Sequence, residues 1–589
     1  AYKCKKTSRT TMSKKRSAII VSLFLAAIFL SIGVFRHFHQ DEDQRFENYT
    51  RSLFCQEVSG STITLHYTLK DPSAYGIKDT PITYGACSTD TSAICASVEN
   101  ALALLQSYDR KELSSKNKLT YDVLEDYLSS SVKEAKFSLY DEPLAPLTGT
   151  QSQLPVLLSE YQFYDVSDVD TYLKLLSKTP EYFQSIIEFE KAKSEAGLFM
   201  ASYSADDIMK ECQAFIDMGD ENYLYSSFEE RLKSLKLKEE EQASYIEKNA
   251  SAIKEYIFPS YSLLKDGLAA LRTSGKNNNG LCYLPKGREY YENVVANETG
   301  SSRTIPQLQQ LTQTQMLDDL KAMQTVLAAS TQGSSISSDV FKTQGTVLED
   351  SNPASILTGL EGRLKDSFPA PPEVSTQIKY VQKSMEEYLS PAFYMVPAID
   401  STKNNVIYIN QGHMPDDISL FTTLAHEGYP GHLYQTVYYA SRKPDPIRNL
   451  LNYGGYTEGW ATYSEMMSYY YTPLTKEQAT LMQKNTSVIL GLYALADMGI
   501  HYDGWTLLDT VSFFRGYGIT DTNTIEDIYD LIIADPANYL KYYIGYVEFL
   551  ELKKDAMDKW GDGFTQKRFH KAVLDVGPAS FDVIRKYIF

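Results

Sequence analysis

The stretch Phe421–Thr436, FTTLAHEGYPGHLYQT, holds two of the eight histidines in a 589-residue chain, with Glu427 directly after the first. In the zinc-protease pattern H-E-x-x-H, histidines at i and i+4 share one helix face and the glutamate serves as general base. Here the second histidine arrives at i+6. In an unbroken helix that position lies about 240° round and roughly 9 Å along, so His426 and His432 could not reach one ion. The inserted residues resolve the conflict. Pro430 lacks an N–H and clashes with the preceding turn, and Gly431 allows backbone angles closed to other residues. The sequence therefore predicts a helix that breaks at Pro430-Gly431 and returns His432 towards His426.

A catalytic zinc takes imidazole nitrogens and carboxylate oxygens and keeps one position for water. The third ligand is expected on a second helix, in NYGGYTEGWATYSEMMSYYY (452–471). Glu458 is chosen as that ligand. Glu465, seven residues on and nearly on the same face, backs a ligand or faces substrate. Glu427 is placed to take a proton from water. His413 lies in a loop approaching the motif. His501 in GIHYDGW and His570 in KRFHKAVL sit in helical surroundings, where a lone histidine is more often a core residue than a catalyst.

Upstream, AFYMVPAIDSTKNNVIYINQG (392–412) has two β-prone runs around DSTKNN and predicts a hairpin. It ends just before a helix that Asp416 or Asp417 would cap. Such a strand either offers a free edge to an extended peptide or only closes the core. STITLHYTLKDPSAYGI (61–77) alternates apolar and polar residues and predicts a strand or extended segment. From about Ser97 to Ser274 the spacing is helical. No long linker and no repeat interrupts residues 36–589, which are expected to form one mainly helical body.

The N-terminus differs. Residues 1–35 carry seven Lys/Arg and no acid, so the net charge of −18 becomes −25 for the rest. Residues 17–35 are uncharged and, as a helix, would span roughly 28 Å. This predicts a basic cytoplasmic tail (1–16), a transmembrane signal-anchor (17–35) and an exported body. A cleaved signal would also export the body, as a secreted protein. No lipid-anchor cysteine ends the apolar run, because Cys4 precedes it. The acidic body excludes nucleic acid as a partner. Cys55, Cys87, Cys95, Cys212 and Cys282 could form disulfides in an exported compartment, with Cys87–Cys95 and Cys212–Cys282 as candidate pairs.

Together, LAHEGYPGH, YTEGWATYSE, YYIGY and FHKAVLDVGP resemble the bacterial family called domain of unknown function 885, whose members resemble gluzincin-type zinc metallopeptidases. The resemblance implies one zinc ion on His426, His432 and Glu458, with Glu427 as base and Tyr542 of YYIGY as oxyanion donor. His501 and His570 fall on family-like positions and are candidates for supporting a ligand or facing substrate. Many members read Pro-Gly-His-His where this chain has Leu433, and the resemblance places the ligand at His432. It also implies a helical architecture similar to the carboxypeptidase Taq and oligopeptidase folds, with a deep channel. The expected function is a membrane-anchored extracytoplasmic zinc peptidase acting on short peptides. The alternatives are a non-catalytic peptide-binding protein and a metal hydrolase of non-peptide amides or esters.

Overall fold

The structure, a computed structural model, describes residues 41–331, 348–386, 389–415 and 417–589. It is mainly α-helical with one small sheet, as the helical spacing predicts. The predicted membrane span (17–35) and Asp416 lie outside the described residues. Among the described residues no helix is long and apolar enough to cross a membrane.

Two large apolar cores, beside a small cluster of Ile94, Val98 and Ala135, organise the described residues. One is built by helices between Thr150 and Leu271, around Tyr172, Phe183, Leu224 and Leu264. The larger joins the helix Glu42–Ser59 to helices from Gly287 onward. The elements around the motif belong mostly to the second core. They are α1 (Pro353–Gly362), β1 (Ser375–Tyr380), β2 (Ala392–Met395), β3 (Asn404–Ile409), α2 (Asp417–Glu427), α3 (His432–Ser441), α4 (Gly454–Ser468), α5 (Asn538–Trp560) and α6 (Gln566–Val576).

The sheet has the order β1-β3-β2. β2 and β3 form the predicted antiparallel hairpin, with Tyr394 opposite Ile407. β1 pairs in parallel with β3 and was not predicted, because STQIKY has only one strongly apolar position, Ile378. Side chains alternate across a strand, so the sheet separates the cores. Phe393 enters the first core, while Ala392, Tyr394, Ile407 and Ile409 enter the second, on the side of α2.

Two expectations are corrected. Residues 61–77 form a helix, Thr62–Thr68, and then the 3-10 turn Pro72–Tyr75. Ser61 caps the helix through Thr64 N, and Asp71 caps the turn through Ser73 N. The alternating pattern is weak against two side-chain caps, since strand propensity depends strongly on context. The five described cysteines are free thiols. Cys212 is buried in the first core, whereas Cys282 donates to Ile500 O in the second.

Candidate metal centre

The predicted break is present. α2 ends at Glu427, the Tyr429–Pro430 peptide is cis, and α3 begins at His432. Two hydrogen bonds bridge the break. Gly431 N donates to Ala425 O (2.9 Å) and Tyr434 N to Gly428 O (3.2 Å). Each spans six residues in sequence where a regular helix spans four, so the two extra residues are looped out. Gly431 passes so close to the end of α2 that a Cβ on it would lie 1.9 Å from His426 O.

The loop brings the imidazoles of His426 and His432 together, with ring centroids 4.9 Å apart and planes at 80°. Glu458 completes a triangle from α4. Its Oε2 lies 3.2 Å from His432 Nε2 and 3.8 Å from His426 Nε2. Glu427 lies beside the pair, and one ligand atom each of His426, Glu427 and His432 falls within 4.8 Å of the others. Its Oε2 accepts from Tyr394 N at 3.0 Å, which ties the carboxylate to edge strand β2. Glu465, two turns after Glu458, meets His426 Nδ1 at 3.0 Å. These five side chains are between 2% and 8% exposed.

The residues fit a metal ion. His426 Nε2 is buried and makes no hydrogen bond. Tetrahedral bonds of about 2.1 Å place ligand atoms about 3.4 Å apart, close to the spacings around Glu458. The electrostatics also favour a cation. Burial opposes a charge on His426, yet Glu458, Glu465 and the charge of Glu427 outweigh it and lift its pKa to about 10. Burial likewise pushes Glu458 upward, but His432 and His426 hold it well below the usual carboxylate range. A buried carboxylate that stays ionised beside two imidazoles makes a negative well open to a proton or a metal ion.

His501 and His570 are turned to other partners. His501 meets backbone groups at both nitrogens, Leu281 N at 3.1 Å and Ile532 O at 2.8 Å. Burial lowers its pKa to about 4, and it latches loops together. His570 meets Ser367 O through Nδ1 and the Tyr463 hydroxyl through Nε2, and stacks on Phe368. It therefore supports α4 from behind and offers no nitrogen to the cluster. Tyr542 is half-buried on α5, with the Lys541 ammonium 5.6 Å from its ring. His413 is exposed.

Sequence reasoning missed how α4 is held. Gly459 of α4 and Gly545 of α5 cross so closely that a Cβ on Gly459 would lie 2.6 Å from Gly545 Cα. The signal was available as small residues next to Glu458 and within YYIGY. Trp460 Nε1 and Ser464 Oγ also donate to Pro430 O, at 2.8 and 3.2 Å.

Fold and site together define a mainly helical protein with a buried His-His-Glu cluster where a broken helix meets α4. Residues 88–588 match the family described as "Bacterial protein of unknown function (DUF885)", and the chain belongs to that family. Two solved structures share the fold at 18% identity. One, described as a "putative lipoprotein" from Colwellia psychrerythraea, matches with a TM-score of 0.79 over 93% of this chain and 98% of its own. The other, a "putative lipoprotein of unknown function" from Shewanella oneidensis, matches with a TM-score of 0.64 over 92% and 98%. No curated protein matches the sequence.

Proposed function

We propose that this chain is a zinc-dependent peptidase of the gluzincin type, acting outside the cytoplasm on short peptides. The observation that carries the proposal is the convergence of His426, His432 and Glu458 on one buried point beside Glu427. Zinc held by those three residues would supply a Lewis acid that polarises a carbonyl and acidifies water. Glu427, fixed through Oε2 by Tyr394 N–H, takes the proton of the attacking water and passes it to the departing amine nitrogen. Glu465 accepts from His426 Nδ1–H, which turns the Nε2 lone pair to the ligand point. Tyr542 is assigned to the developing oxyanion.

The substrate follows from the surroundings. Tyr394 N–H points from edge strand β2 to the Glu427 carboxylate, so a peptide adding to that edge would pass beside the base. The depth of the site favours short chains over folded proteins. Both structural relatives are described as lipoproteins, and a membrane location suits this chain too. Its apolar run 17–35 has no cysteine at its end, so a helical anchor is proposed for it.

A peptide-library digest read by mass spectrometry, with and without chelator, tests the proposal. Cleavage that chelator abolishes and zinc restores is expected. Absence of cleavage by zinc-loaded protein would overturn it.

A further inference from the structure

The carbonyl of Pro430 links the metal-binding bulge to the helix that carries the third ligand. It is buried at the tip of the loop between α2 and α3, where no helical N–H reaches it. A buried carbonyl without a partner is destabilising, because it gives up water and gains nothing in return. Here it receives two donors, Trp460 Nε1–H at 2.8 Å and Ser464 Oγ–H at 3.2 Å. Both side chains are fully buried. Trp460 and Ser464 stand at i and i+4 and share one face of α4. Glu458 and Glu465, at i and i+7, share another. α4 therefore grips the bulge with one face and feeds the histidines with the other.

We infer that Trp460 and Ser464 are positioning residues that set metal affinity by pinning the Pro430 carbonyl, and with it His432 two residues on. This rests on the metal reading of the site. His426 is placed by the end of a regular helix and is oriented by Glu465. His432 instead opens a new helix whose N-cap, Gly431, makes no side-chain cap bond. The double hydrogen bond to Pro430 O adds a fixed point at the loop tip to the two backbone bonds that bridge the break. Trp460 also packs against Phe368 and Phe549, with ring centroids 6.2 and 5.7 Å away.

The test compares wild type with Ser464→Ala, Trp460→Phe and the double variant. Zinc dissociation constants are measured by competition with a chromophoric chelator, and Co²⁺ absorption reports ligand geometry. Phe549→Leu is the control, since it loosens packing on Trp460 and leaves both donors in place. Expected are a severalfold loss of affinity in Ser464→Ala, about 10-fold in Trp460→Phe and up to about 100-fold in the double variant, with weakened Co²⁺ bands. Phe549→Leu is expected to lower Tm while keeping wild-type affinity. Ser464→Ala is the mild member and keeps the test decisive if Trp460→Phe does not fold. Wild-type affinity in a folded Ser464→Ala and in any folded Trp460→Phe would overturn the clamp alone, as would an equal loss in Phe549→Leu. A wild type that takes up no zinc or cobalt would overturn the metal reading, and the clamp with it.

Discussion

His432 follows His426 by six positions where a shared helix face needs four, and the chain uses the extra two residues to make a bend where a regular helix would hold the rings apart. Gly431 is where that bend is tightest. Gly431→Ala places a methyl 1.9 Å from His426 O and 2.4 Å from Ala425 O, both backbone atoms at the end of α2. The substitution should cost about 3 kcal/mol by urea unfolding, because neither carbonyl belongs to a flexible side chain. The roles of the two nearby carboxylates separate by what each touches. Glu427 is tied to the edge-strand backbone, whereas Glu458 faces both imidazoles. Glu427→Gln should therefore retain zinc while lowering kcat roughly 10³-fold. Undiminished turnover would refute its role as base. His426, Glu427, His432, Glu458 and Glu465 could all be selected from the sequence, since motif spacing and helix periodicity report directly on shared faces. The clamp on Pro430 could not, because a backbone carbonyl leaves no trace in residue identity.

At the level of elements, α4 is the hub. It packs on α2, which ends in the first histidine, and on α5 through the Gly459–Gly545 crossing. On Gly545 a Cβ would meet Gly455 O at 2.3 Å and Gly459 Cα at 2.8 Å. Gly545→Ala should force the two helices apart, costing about 1–3 kcal/mol in thermal unfolding. Zinc affinity should fall with it, because Glu458 lies one residue from the contact. The hairpin β2–β3 and the break at Pro430 were legible because turn residues and Pro-Gly act locally. β1 was not, since parallel pairing with β3 is a distant contact that six mostly polar residues do not announce. The false strand at 61–77 erred in the opposite sense. Alternation suggested β structure, while Ser61 and Asp71 caps favoured helix and turn.

Over the whole molecule, the early and late parts of the chain are joined by a charged knot. Asp122, on the helix Ser115–Ala135, accepts from Arg110 at 2.5 and 2.6 Å, from Lys586 at 2.8 Å and from the Tyr587 hydroxyl at 2.6 Å. Burial alone would raise its pKa, but these partners lower it to about 2. An unfolded aspartate titrates near 3.9. The folded state thus binds the proton less readily, so the knot stabilises fully above about pH 4 and is lost as pH falls through about 2. Asp122→Asn should lower Tm at pH 7, and the gap to wild type should close between about pH 4 and pH 2. A gap that stays constant across that window would contradict the assignment. At this scale the helical class and the acidic body follow from composition and periodicity. The division into two cores on either side of a small sheet does not, because it depends on which distant helices meet. The proposed roles all depend on one metal ion held by His426, His432 and Glu458. The most direct measurement is metal content by inductively coupled plasma mass spectrometry, after equilibration with zinc and removal of free ion, for wild type and His432→Ala. One zinc per chain in wild type and far less than one in a folded His432→Ala is predicted; no stoichiometric metal in wild type, or full retention in the variant, would contradict it.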